Sequence, residues 1–336
     1  MVIVNPGVYA SIQDLGRYGV ASWGIGHSGA ADRLAVCLIQ RALGNAVSVP
    51  VLEIMRPPAQ LLFTEGAWVC LGGADTHNLA RTLDEERVLP MYAPSWLPAG
   101  TELQMGRPRA GAVAYVAVAG GFEVLPRWGS AATDLRAGCG ERVSKGMRLR
   151  IRGGMALPHD PTRLRVASRY PAGLALCDIF SGGLDVLPGP DFTALDPEAR
   201  RHLLGQTFEV SARSDRMGLR FVGEPVGQTL SERISAGVCH GAVQLPPDGL
   251  PIVLGPEHQT TGGYPLPLVV CSHHHSRLAQ LAPGDKIRFQ LLQPHQAEAQ
   301  RLRVQQRLAR LRLPCLPLSP SWVDSLKETS CEPPST

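Results

Sequence analysis

Lysine is nearly absent from this chain. Of its 33 basic residues only Lys145, Lys286 and Lys327 are lysines, so chemistry that needs a free amine has three candidates. Long apolar runs are absent as well. No window reaches the roughly 18 apolar residues of a membrane helix. The opening stretch from Met1 to Tyr9 has no basic start, no apolar core and no cleavage site, so it is not a secretory signal. These absences predict a cytoplasmic protein with no membrane partner. The 8 cysteines include no C-x-x-C pair, which predicts reduced thiols rather than a disulfide framework. Nucleotide-binding signatures are missing: there is no G-x-x-x-x-G-K-[ST], and no G-x-G-x-x-G on a strand-to-helix turn. If ATP is used, a partner binds it. A net charge of +4 is too small a bias to argue for nucleic acid.

Glycine and proline, in contrast, are abundant. The 36 glycines and 29 prolines punctuate short apolar runs: Trp68–Leu71, Ala114–Val118, Met147–Ile151, Val243–Leu245, Ile252–Leu254, Leu268–Cys271 and Lys286–Phe289. Runs of this length between turn residues, many alternating with period two, are strands. Long helices do not alternate with them, which argues against a doubly wound sheet. Two stretches read as helices, Asp32–Leu43 behind an Asp cap and His295–Leu311 with arginines along a polar face. Gly153–Tyr170 mixes polarity around Pro158 and Pro161 and reads as a domain junction. Trp96–Gly106 and Gln280–Phe289 echo each other: both run Leu-x-x-Gly into a charged, alternating strand. The fold expected is therefore mainly β. Its domains would be residues 1–155 and 173–292, then a helix over 293–313 and a disordered tail over 314–336.

Five motifs invite chemistry. Gly26–Ala30, "GHSGA", has the outline of a nucleophile elbow at Ser28, but no strand–turn–helix frame surrounds it. A turn leading into the Asp32 cap is the plainer reading. Cys271, His273 and His275 would share one face if extended, a partial zinc set. Without a fourth ligand, histidines at an exposed strand end are the plainer reading, and no metal is expected. Ala212–Phe221 sets Arg213 and Arg216 around Asp215. The two planar forks suit a substrate carboxylate, with Asp215 holding one of them. A charged hairpin that ties itself together explains the same spacing. Glu257–Pro265, "EHQTTGGYP", packs hydrogen-bonding groups and two glycines between strand-like runs, as a binding loop does. The last motif is a set of co-linear stretches.

Ser11–Gly19, His27–Asp32, Leu71–Asp75, Tyr115–Gly121, Gly129–Gly138, Leu187–Pro190, Ser211–Arg220, Gly241–Leu254, Gln259–Pro265 and Leu278–Asp285 follow one another in a recognisable order. Together they resemble the biotin-dependent carboxyltransferase family, also called allophanate hydrolase subunit 2. Its members include the C-type component of bacterial 5-oxoprolinase and the carboxyltransferase domain of urea carboxylase. The resemblance implies two cyclophilin-like β-barrel domains. It also implies a subunit of an ATP-dependent complex that opens 5-oxo-L-proline to L-glutamate. The partners implied are an allophanate hydrolase subunit 1-type chain (the B-type component of 5-oxoprolinase) and the A-type component, with ATP bound by the complex. The alternatives it implies are carboxyl transfer to urea or a similar amide from biotin on a separate carrier, or a non-enzymatic antagonist of a kinase-inhibitor partner. Under the leading reading Glu257 moves a proton, with Asp32 and Asp134 as second candidates. Arg213, Ser214, Asp215, Arg216, Met217, Gln259, Thr260, Thr261, Gly262, Gly263 and Tyr264 line the substrate pocket. The chain departs from the family pattern at Glu257, where an Asp is expected, at Ala131 in place of Arg, in the shortened Cys139–Arg142 loop, and at Ser272–His275, where an acidic residue is expected.

Overall fold

The computed structural model describes residues 1–152, 182–227 and 234–309. The first half carries ten strands: β1 Val2–Asn5, β2 Tyr9–Gln13, β3 Val51–Met55, β4 Ala59–Leu62, β5 Ala67–Asp75, β6 Asn78–Arg81, β7 Glu86–Leu89, β8 Ser95–Leu97, β9 Glu102–Met105 and β10 Ala110–Val118. They form two five-stranded sheets, ordered β1-β4-β9-β6-β7 and β2-β3-β10-β5-β8. Ile3, Leu61 and Leu103 of one sheet meet Ile12, Leu52, Ile54 and Val116 of the other in a shared core. Alternation decides which face each residue serves. On β10, Ala114, Val116 and Val118 face that core. Val113, Tyr115 and Ala117 face away and are buried too. That is why β10 reads as an unbroken apolar run.

What covers the outer face is helix α1, Arg33–Ala42. Its Ala35, Val36 and Ile39 pack on Trp68, Cys70 and Tyr115. The Asp32 carboxylate accepts from the Ala35 N–H at 3.0 Å, the cap that the sequence signals.

The second half carries β11 Leu184–Pro188, β12 Phe208–Val210, β13 Gly218–Val222, β14 Ala236–Gly237, β15 Ala242–Gln244, β16 Ile252–Leu254, β17 Thr261–Gly262, β18 Leu268–Val270, β19 Lys286–Ile287 and β20 Phe289–Leu291. Eight of these form one sheet, ordered β19-β12-β13-β16-β15-β18-β11-β20. The two edge strands come from a single run, Lys286–Leu291, parted only at Arg288. The sheet therefore curls round to meet itself, a nearly closed barrel about Phe208, Phe221, Val253 and Phe289. β14 and β17 form a separate two-stranded ribbon. Further helices are α2 Pro197–Gly205, α3 His275–Gln280 and α4 Pro294–Ala309.

The mainly β architecture matches the expectation, and among the described residues no sheet contains strands from both halves. The two echoing stretches both turn at a glycine with positive φ, Gly100 and Gly284, before β9 and β19. Other details differ. Met147–Ile151 is not a strand: Arg148 and Ile151 make only isolated bridges, to Val2 and Phe122. α2 and α3 are not foreseen from the sequence: α3 is 6 residues long, and α2 buries Ala199 and Leu203 alone, too few to mark a periodic face. The expected junction and tail fall largely on residues 153–181 and 310–336, outside the described residues. No helix among the described residues is long and apolar enough to cross a membrane.

Candidate active site

The two halves meet along a seam of polar contacts. Helix α3, from the second half, lies against β10 of the first. Gln280 on α3 accepts from the N–H groups of Ala112 and Val113 at 3.0 and 3.1 Å, and donates to Val113 O at 3.0 Å and Asp32 Oδ2 at 2.8 Å. Ser276 donates to Asp32 Oδ1 at 2.6 Å. Gly111 makes room for this approach: a Cβ there would lie 2.6 Å from Gln280 Oε1. Asp32 is 0% exposed, and both its oxygens are taken. Burial raises its pKa above the usual carboxylate range. The sequence names Asp32 as a second catalytic candidate; the structure makes it a cap and a clasp between halves.

At the centre of the seam lies Arg216. Its Nε donates to Glu257 Oε1 at 2.6 Å, its Nη2 donates to Gly29 O at 2.7 Å, and its Nη1 pairs with Glu53 Oε1. Glu53 sits on β3 directly across from Tyr115 on β10. Its other oxygen accepts from Tyr115 Oη at 2.8 Å and from the Ala31 N–H at 2.9 Å. Glu53 and Tyr115 are both 0% exposed. The guanidinium is the only kind of side chain that satisfies two carboxylates and a carbonyl from one fixed plane. Burial alone would lower its pKa, but Glu53 and Glu257 hold it above the ordinary arginine value. Glu257 is mostly buried, and burial raises its pKa, opposed by Arg216. No hydrogen bond among the described residues engages Glu257 Oε2, so one oxygen of a basic carboxylate is left for chemistry.

The third carboxylate of the set, Asp134, lies nearby. Its Oδ1 accepts from the N–H groups of Arg136 and Ala137 at 3.2 and 3.1 Å, and its Oδ2 is 3.8 Å from Arg17 Nη1. The charge of Asp134 adds to the upward pull on Glu257. Asp134 also meets the loop that ends in Gly26, where a Cβ would lie 3.6 Å from its Oδ2 and 3.2 Å from His258 O.

The residues flanking Arg216 and following Glu257 reach a cavity of about 280 Å³, lined by Arg136, Asp215, Met217, Gly218, Arg220, Gln244, Ile252, Leu254, Gln259 and Tyr264; Arg216 and Glu257 themselves do not line it. Of the residues expected from the sequence, the structure brings Asp215, Met217, Gln259 and Tyr264 to this cavity. Gly262 presses on its wall: a Cβ there would lie 2.6 Å from Gln244 Nε2. Thr261 and Gly262 belong to β17 and pair with β14, and Thr260 O accepts from the Val238 N–H at 3.1 Å. Backbone pairing, more than side-chain recognition, accounts for the Thr pair.

The arginines divide differently from the expectation. Arg213 is exposed and its N–H bonds Ser211 Oγ at 3.2 Å; it does not line the cavity. Arg216 is committed to the seam. Among the described residues no arginine side chain pairs with Asp215: its Oδ1 accepts from the N–H groups of Met217 and Gly218 at 2.9 and 3.4 Å, closing the turn. Ser214 is buried, and its O accepts from Arg56 Nη2 of the first half at 2.9 Å. Sequence reasoning missed Glu53, Tyr115, Gln244 and Arg136. The one available signal for Glu53 is a lone carboxylate between Leu52 and Ile54 in an apolar strand.

Of the two other motifs, the one at Ser28 takes its plainer reading, and the histidine run takes neither of the readings offered for it. Ser28 Oγ donates to Thr133 O at 2.9 Å and is buried, with its backbone at φ 53; it is not poised as a nucleophile. The histidine run is not an exposed strand end. β18 stops at Val270, and Ser272–His274 is a turn of 3-10 helix leading into α3, so Cys271, His273 and His275 do not share an extended face. His273 and His274 gather instead about Asp185. His274 Nδ1 accepts from the Asp185 N–H at 3.0 Å, so its Nε2 carries the hydrogen and offers no lone pair to a metal.

With this geometry in hand, comparison with known proteins decides the family. The description "Carboxyltransferase domain, subdomain A and B" matches residues 23–291. The chain belongs to this carboxyltransferase family. It is 33% identical to the C-type component of Escherichia coli K12 5-oxoprolinase over 303 residues, covering 85% of this chain and 89% of that one. Among solved structures, TTHA0988 superposes with a TM-score of 0.69 at 31% identity. The match covers 86% of this chain and 55% of that one, so this chain spans little more than half of that relative. The Kluyveromyces lactis urea carboxylase shares the fold, with a TM-score of 0.75 at 23% identity over 95% of this chain and 30% of that one.

Proposed function

We propose that this chain is the C-type component of a 5-oxoprolinase complex, which opens 5-oxo-L-proline to L-glutamate with hydrolysis of ATP. The observation that carries the reading is the buried Arg216–Glu257 pair, whose chain neighbours Asp215, Met217 and Gln259 line a cavity of about 280 Å³, in a chain with 33% identity to the C-type component of a known 5-oxoprolinase.

Ring opening of a lactam needs water added to the carbonyl carbon and a proton delivered to the departing nitrogen. Glu257 suits both steps. Burial makes it a stronger base than an ordinary carboxylate. Arg216 fixes one oxygen, so the other is aimed rather than free to rotate. Asp134 adds negative charge that keeps the proton on Glu257 longer. Gln259 and Tyr264 supply a polar contact and a flat wall for a small ring. ATP supplies the driving force in the assembled complex, and its binding is assigned to partners of the A and B type. The sequence has no phosphate-cradling motif and no M-K-M biotin attachment site, so a biotin-based reaction would need a separate carrier.

The test is reconstitution. Coexpression with the A-type and B-type partners should give ATP-dependent glutamate release from 5-oxoproline, and omission of this chain should abolish it. A stable complex that releases no glutamate would overturn the reading.

A further inference from the structure

Gln244 lies at the end of β15, is 3% exposed and lines the cavity. Its Nε2 is buried with no hydrogen-bond partner. Its Oε1 has only a long contact, 3.5 Å from Gln259 Nε2. A buried amide left half unsatisfied forfeits its hydration without a replacement bond, and native structures rarely keep such a group without a purpose. Turning the amide over would exchange the unpaired donor for an unpaired acceptor, so the deficit does not depend on how its atoms are assigned. Gly262 preserves the space in front of it, since a Cβ there would lie 2.6 Å from Nε2.

A primary carboxamide shows a donor and an acceptor along one edge. A cis amide, which a small lactam must be, shows C=O and N–H along one edge too. The two edges fit as a pair of hydrogen bonds. A trans peptide puts those groups on opposite edges and cannot make the pair. The cavity also holds two arginines, Arg136 from the first half and Arg220 on β13. No ion pair among the described residues engages either of them. The cavity's one carboxylate, Asp215, has Oδ1 occupied by the turn it closes.

We infer that Gln244 reads the cis-amide edge of the substrate and that Arg136, with Arg220 beside it, reads a carboxylate on the same small ring. The inference rests on the proposed function and sharpens it: the pocket selects cyclic amides that are also acids. Urea has the amide edge but no acid for the arginines. Arg136 is exposed, so its loss removes a ligand contact without opening the core.

Binding to the purified full-length chain tests this apart from turnover. The probes are 5-oxoproline and 2-pyrrolidinone, the same ring without its carboxylate, followed by ligand-observed NMR. Wild type should bind 5-oxoproline at least ten-fold more tightly. Arg136→Ala should erase that difference and leave 2-pyrrolidinone binding unchanged. Gln244→Met should weaken both ligands alike, with a melting temperature no lower than that of wild type as the control for folding. In the reconstituted complex, Arg136→Ala should raise KM for 5-oxoproline about ten-fold with little change in kcat. Equal binding of the two probes by wild type would overturn the inference, as would an Arg136→Ala chain that still prefers the acid. A complex that binds as expected but releases no glutamate would count against the proposed function alone.

Discussion

Arg216 and Glu53 lie 163 residues apart in sequence and share a buried ion pair across the seam between the two halves. Among the described residues Glu53 has no other cation in contact. Removing one partner of a buried pair strands the other and costs about 3–5 kcal/mol. Arg216→Met should therefore lower the midpoint of urea unfolding sharply. A double-mutant cycle with Glu53→Gln should give a coupling energy of about 0.5–3 kcal/mol. Additive effects would mean that the pair does not act as a unit.

Glu257 should be essential for turnover but not for folding. Glu257→Gln keeps the shape and an oxygen for Arg216 but loses the base, so kcat in the reconstituted complex should fall about 10²–10⁴-fold. The unfolding midpoint should shift far less than for Arg216→Met. Unchanged kcat would remove Glu257 from the mechanism.

The pH profile of that activity should show the influence of Glu53. Burial raises the Glu257 pKa, and the neighbouring Glu53 charge pushes the same way. A base acts only when deprotonated, so activity should fall as pH drops through this raised pKa. Glu53→Gln removes a negative neighbour and leaves Arg216 to Glu257 alone. The acid limb should then move to lower pH. A limb that stays in place would mean the two carboxylates do not compete for the guanidinium.

Asp32 should matter to stability and not to rate. Asp32→Ala removes the α1 cap, worth about 1 kcal/mol, takes away the acceptor of Ser276 and leaves Gln280 with Val113 O as its acceptor. Asp32→Asn keeps an acceptor and should cost less. Neither should change kcat at a temperature where the fold is intact.

Stability itself should decline in mild acid. Burial holds His240 far below its usual 6.5, at about 2, and His275, whose ring lies tilted against it at 4.3 Å between ring centroids, is lowered too. A lowered folded pKa means that the unfolded chain takes up the proton first. Stability is then full above the unfolded value and drains away as pH falls from about 6.5 toward the folded value. The melting temperature should drop over that interval, and His240→Gln should flatten the drop.

Much of the fold is legible in the sequence because glycine and proline mark strand ends that the apolar runs confirm. β5, β10, β15, β16 and β18 all overlap expected runs. The errors have physical causes. Met147–Ile151 alternates like a strand but finds only single bridging partners. The histidine run reads as extended because local sequence gives no sign that β18 ends at Val270. At the site, the loop around Glu257 and the turn around Arg216 are legible as motifs, since their residue types serve no simple packing need. Their partners are not. Glu53 and Tyr115 gain meaning only when β3 pairs with β10. Arg136 does so only when the first half is seated against the second. A property created by long-range pairing leaves little trace in a local window.

The clasp of Asp32 by Ser276 and Gln280, together with the pair of Glu53 with Arg216, has a consequence for how the molecule is inherited. Each half carries buried charge or polarity that only the other half can answer. A gene split between them would yield two chains that are poor folders apart and competent only when made together.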